Sequence, residues 1–122
     1  MPLATSRGIG QLLIGSFPGP SVPPELRSLA REFDLGGAIL FSRNVEAPEQ
    51  VAELAADVET LGRGAPAWVS IDQEGGRVAR LKEPFTRWPP MAVLGRSKSE
   101  ALAQRFGRAL AHELQAVGIT LD

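Results

Sequence analysis

Ala67-Trp68-Val69-Ser70-Ile71-Asp72-Gln73-Glu74-Gly75-Gly76-Arg77-Val78 joins an apolar run to a polar, glycine-containing loop without a break. Its first five residues show no polar alternation. That is the pattern of a strand covered on both faces, as in a parallel sheet. Two carboxylates, a Gly pair and an Arg then follow at the carboxyl end of the strand, which is where parallel α/β folds place their chemistry.

Two similar runs lie upstream, Gln11 to Gly15 and Gly37 to Phe41, and a fourth starts at Gly118-Ile119-Thr120-Leu121. Helical patterns separate them. Pro23-Pro24 can open the first, with Leu26, Leu29, Ala30 and Phe33 on one face and Gly36-Gly37 as stop signals. The second has Pro48 near its start, a stripe of Val51, Leu54, Val58 and Leu61, and ends at Gly62 and Gly64. Ser97 and Glu100 have capping-box spacing for the third, whose inner face reads Leu102, Phe106, Ala109, Leu110 and Val117 up to Gly118. Strand and helix therefore alternate, so the strands are parallel and joined by right-handed crossovers. An open doubly-wound sheet and a (β/α)8 barrel share this order, and periodicity does not choose between them. In a barrel, Ile39, Phe41, Val69 and Ile71 are expected to face inward.

Composition narrows the function classes. A net charge of -1 gives no electrostatic case for nucleic acid or an anionic membrane. The absence of Cys excludes disulfides and thiolate metal sites, and the single His excludes a multi-histidine site within this chain. Met1 to Gly15 reads as neither a signal peptide nor a membrane span, so the expected location is the cytoplasm.

Asp72 would face the mouth of the sheet, where an ionised carboxylate can accept two hydroxyl hydrogen bonds; capping a turn is an equal reading on spacing alone. Glu74, Arg77 and Arg80 crowd the same loop, as ligand groups or as a structural ion-pair cluster. Gly75-Gly76 permits positive φ, whether as an ordinary turn or for close approach of a ligand. No phosphate-binding glycine fingerprint occurs, which leaves a nucleotide-binding module with only the βα alternation behind it. Arg43 fits a salt bridge across the mouth or a ligand contact. Asn44 reads as a turn cap, and Trp88, flanked by Pro89-Pro90, as packing for its loop. His112 reads as a surface residue. Pro89 and Pro90 are sites where a cis bond is conceivable.

The string Ile71 to Val78 resembles the signature of family 3 glycoside hydrolases of the β-N-acetylglucosaminidase type. Gly36 to Asn44 resembles that family's second strand, Phe85-Thr86-Arg87-Trp88-Pro89 the loop after the signature, and Gly107 to Leu121 the third helix leading to the fourth strand. The opening Ile9 to Gly15 fits as well. The resemblance implies an α/β fold, the first three to four βα units of a (β/α)8 TIM-type barrel, with residues 1–122 as an N-terminal part incomplete at the C-terminus. It implies that Asp72 and Arg80 bind N-acetylglucosamine.

By the same resemblance, β-linked N-acetylglucosamine is removed with retention through a covalent intermediate, often from peptidoglycan fragments in the cytoplasm, and no cofactor is needed. The family nucleophile is an Asp late in the barrel. The acid/base is a His on a mobile loop, reached after a Lys-His segment past the fourth strand. Neither has a counterpart here, and two acids as close in sequence as Asp72 and Glu74 do not make a retaining pair, which needs carboxyl groups about 5–5.5 Å apart across the scissile bond. The 122 residues are therefore expected to carry sugar-binding residues without the catalytic pair, and to self-associate through uncovered strands. Alternatives are a non-catalytic half-barrel that binds sugar or assembles with another chain, and a β-glucosidase-like member of the same family.

Overall fold

The computed structural model of the protein describes residues 8–122. Met1 to Arg7 lie outside them, and with them part of the opening read above as neither signal nor span. The elements are β1 (Ile14–Gly15), α1 (Pro24–Phe33), β2 (Gly37–Leu40), α2 (Pro48–Glu59), β3 (Trp68–Ile71), α3 (Met91–Ser97) and α4 (Glu100–Ala116), with a 3-10 turn at Ser42–Asn44. Among the described residues no helix is long and apolar enough to cross a membrane.

The sheet is parallel throughout, in the order β1-β2-β3. Ile14 and Gly15 stand opposite Gly37 and Ala38, and Gly37 to Leu40 stand opposite Trp68 to Ile71. The fourth run begins to pair where the sequence places it. Thr120 and Leu121 donate their N–H groups to the Val69 carbonyl at 2.9 and 3.1 Å, and Ile71 N–H donates to the Leu121 carbonyl at 3.1 Å. Each new strand thus lies beside the one before it. A doubly-wound sheet reverses its order at a switch point. A monotonic order with right-handed crossovers keeps every helix on one face, which is the construction of a barrel.

The two faces of the sheet differ as that construction requires. Ala38, Leu40, Val69 and Ile71 are buried against the helix layer, where they join Leu26, Val51, Leu54, Val58, Leu110 and Leu114 in one core. Burying each such Val, Leu or Ile contributes roughly 1.5–3 kcal/mol. By strand alternation and register, the opposite, barrel-facing side carries Ile14, Ile39, Trp68, Ser70 and Leu121. Ile14 is 41% exposed, Trp68 53% and Leu121 41%. Ile39 and Phe41 face the barrel side as expected. Val69 and Ile71 do not: they point to the helices. A run broken only by Ser70 carries too weak a mark of which alternate set faces which layer.

Other boundaries also shift. Gln11 to Leu13 do not join β1, and Leu12 and Leu13 are exposed rather than buried. On α1 only Leu26 and Ala30 are buried, while Leu29 and Phe33 are exposed. The helix is ended not by Gly36 but by Asp34, whose left-handed backbone (φ 57°) sends its N–H to the Ala30 carbonyl. Asp is one of the few residues that tolerate this conformation. The cap of α4 is Ser99, whose side chain accepts from Leu102 N–H, and not Ser97, which closes α3. Lys98, left-handed at φ 49°, separates the two helices. Leu102 and Ala109 are exposed, and Leu114 takes their expected place in the core.

Candidate functional site

Strand alternation puts Asp72 on the barrel-facing side of β3 and Gln73 on the other. Gly75 and Gly76 then turn the chain at φ 94° and 58°. A Cβ on Gly75 would lie 2.4 Å from the Pro89 carbonyl oxygen, and one on Gly76 would lie 2.7 Å from Pro90 Cγ. Both positions therefore require glycine sterically and conformationally. The turn closes through Glu74 and Gly75 N–H groups donating to the Val78 carbonyl. It is tied to the next loop by Gly76 N–H donating to the Trp88 carbonyl at 2.9 Å.

This return path brings Arg80 back to Asp72. Arg80 Nη2 donates to Asp72 Oδ2 at 3.3 Å, and the guanidinium carbon lies 5.5 Å from the centre of the Phe41 ring. Arg80 Nε is buried and has no hydrogen-bond partner. Such a donor costs about 1–3 kcal/mol while unpaired. The pair leaves carboxylate lone pairs and guanidinium donors side by side, a combination suited to vicinal hydroxyls.

Gln73, which the sequence reading passed over, is 2% exposed. Its Oε1 accepts from the N–H groups of Arg80 (2.7 Å) and Leu81 (3.1 Å), and its Nε2 donates to the Leu81 carbonyl (3.0 Å). Its partners are backbone groups, so no residue type in the sequence signals them.

Arg80 also lines a cavity of about 920 Å³ together with Ser42, Gly76, Lys82, Arg87 and Trp88. Asp72 reaches this space through Arg80 rather than lining it. Trp88 packs its loop down, as expected: its ring meets Phe106 edge-on at 5.0 Å, and its Nε1 donates to Glu113 Oε2 at 3.3 Å. Glu113 also accepts from Thr86 N–H at 2.9 Å, so one α4 carboxylate anchors both ends of the Thr86–Trp88 segment.

Arg43 does not make the salt bridge considered for it. Its Nε donates to the Phe17 carbonyl at 3.0 Å, and its guanidinium sits 4.7 Å from the Phe41 ring centre. Asn44 is the turn cap that its type suggested. It is fully buried, accepts from Phe41 N–H, and donates to the carbonyls of Phe17 and Gly19. Glu74 and Arg77 are exposed, and among the described residues the loop's ion pairing is confined to Asp72 and Arg80. His112 is exposed, as read. Among the described residues the cis peptide bond is Glu83–Pro84, not one at Pro89 or Pro90.

Residues 5–122 match the sequence model of the Glycosyl hydrolase family 3 N terminal domain. The chain belongs to glycosyl hydrolase family 3. Proteins named beta-hexosaminidase are similar to it. One from Nitrosomonas eutropha is 46% identical over 94 residues, covering 72% of this chain and 27% of that protein. One from Pseudomonas aeruginosa is 40% identical over 105 residues, covering 85% and 31%. The family 3 β-N-acetylglucosaminidase of Paenibacillus sp. str. FPU-7 superposes with a TM-score of 0.86 at 36% identity, over 97% of this chain and 23% of that one. NagZ from Neisseria gonorrhoeae, solved in complex with N-trifluoroacetyl-D-glucosamine, gives 0.78 at 36% identity, over 88% and 33%. The chain thus spans roughly a quarter to a third of the length of these relatives. The barrel order of the strands and the family agree on the architecture: this is the opening set of βα units of a family 3 barrel.

Proposed function

We propose that this chain forms the sugar-binding opening part of a β-N-acetylhexosaminidase that removes β-linked N-acetylglucosamine with retention, and that residues 1–122 are an N-terminal part of its barrel domain. The observation that carries the reading is the pairing of Asp72, at the carboxyl end of β3 and within the family signature, with Arg80, which follows the signature and lines the cavity. Asp72 accepts hydrogen bonds from sugar hydroxyls. Arg80 donates to a sugar oxygen through its guanidinium fork. The names of the relatives support the substrate class: they are beta-hexosaminidases and β-N-acetylglucosaminidases.

The nucleophile and the acid/base belong, on this reading, to polypeptide outside these 122 residues, which alone bind sugar without cleaving it. Action on peptidoglycan fragments in the cytoplasm is part of the same proposal. Calorimetric titration of the natural full-length protein with N-acetylglucosamine tests it. Binding that is clearly weakened in Asp72→Ala and in Arg80→Ala supports the reading, and binding unchanged in both removes it.

A further inference from the structure

The geometry points to Gln73 as a positioning residue that sets Arg80 for its ligand; this rests on the sugar-binding reading of Arg80 above. Arg80 springs from a segment with no regular secondary structure, so its backbone is not registered by a helix or a sheet ladder. The Gln73 side chain supplies that registration. One planar amide takes the Arg80 N–H, the Leu81 N–H and the Leu81 carbonyl at 2.7, 3.1 and 3.0 Å, much as a neighbouring strand would. Leu81 is 2% exposed and anchors the segment to the core. The amide fixes where Arg80 begins relative to Asp72.

Asp72 and Gln73 are consecutive and point to opposite sides of the strand end. The same two residues therefore grip Arg80 twice, by its guanidinium from the front and by its peptide N–H from behind. Gln73 is itself tied to the fourth run, because its own N–H donates to Asp122 Oδ1 at 2.9 Å. Removing the amide leaves three backbone groups without these bonds and frees the root of a side chain whose value to a ligand lies in its fixed fork.

The test uses the natural full-length protein, calorimetric titration with N-acetylglucosamine, and three variants: Arg80→Ala, Gln73→Met and the double substitution. Met fills similar space without an amide. Gln73→Met is expected to weaken binding about tenfold, and the double variant to bind no more weakly than Arg80→Ala within about twofold, because the Gln73 effect runs through Arg80. Amide hydrogen exchange at Arg80 and Leu81 is expected to accelerate in Gln73→Met. Parent-like affinity in Gln73→Met, or full additivity in the double variant, overturns the positioning role while leaving the sugar site standing. Parent-like affinity in Arg80→Ala overturns the sugar reading and the proposal with it. If Gln73→Met does not fold, Gln73→Asn, which draws the amide back by one methylene, is measured against the same criteria.

Discussion

The guanidinium of Arg80 reaches back across the glycine turn to within 3.3 Å of the Asp72 carboxylate. The two side chains are 23% and 44% exposed. A partly solvated pair of this kind contributes at most about 1 kcal/mol to stability, so its importance lies in the arrangement it holds. Arg80→Lys keeps the charge and loses the planar fork. It is expected to change unfolding free energy by less than about 1 kcal/mol and to lower N-acetylglucosamine affinity in the full-length protein about tenfold. Urea denaturation and calorimetry check the two halves separately.

Gly75→Ala places a methyl group against the Pro89 carbonyl at a φ of 94°. Both the contact and the backbone conformation oppose it, and a loss of about 2 kcal/mol or more is expected. Gly107→Ala is the control. That position lies within α4 with open space around its Cβ, and the helix should gain roughly 0.5–1 kcal/mol there. Thermal denaturation of the two variants should move in opposite directions.

Asn44→Ala removes one acceptor and two donated hydrogen bonds from a fully buried position, unpairing Phe41 N–H and the Gly19 carbonyl, while the Phe17 carbonyl keeps Arg43 Nε. Each unsatisfied buried group costs about 1–3 kcal/mol. A destabilisation of about 3 kcal/mol is expected by denaturant titration, and a change below about 1 kcal/mol would mean that water replaces the side chain.

The parts of this fold that were legible in the sequence are those written in local chemistry. The βα alternation, the strand end at Asp72, the Gly75-Gly76 turn and the Asn44 cap each follow from residues adjacent in the chain. Strand facing was not legible, because Trp68 is as apolar as Val69 and Ile71, and Ser70 alone marks the other alternate set too weakly. The α4 start was misplaced because Ser97 and Ser99 both offer capping oxygens, and only the left-handed Lys98 between them decides which is used. Gln73 was missed because its partners are the backbone of Arg80 and Leu81, and backbone groups leave no trace in residue identity.

The barrel-facing strip of Ile14, Ile39, Trp68 and Leu121 leaves large apolar side chains partly uncovered. A surface of this kind drives association. The 122-residue chain by itself is expected to sediment as dimers or larger species at micromolar concentration, and Trp68→Lys to shift it towards monomer. A parent chain that sediments as a stable monomer would contradict this.

The proposed site gives Asp72 the task of holding the sugar of a β-N-acetylhexosaminidase substrate. Its most direct test is kcat/KM of the natural full-length protein on a chromogenic β-N-acetylglucosaminide, compared with Asp72→Ala. Each hydroxyl hydrogen bond to a charged acceptor is worth roughly 1.5–3 kcal/mol, so loss of two is expected to lower kcat/KM at least about a hundredfold. A variant within about twofold of the parent would contradict the account and take Asp72 out of the site.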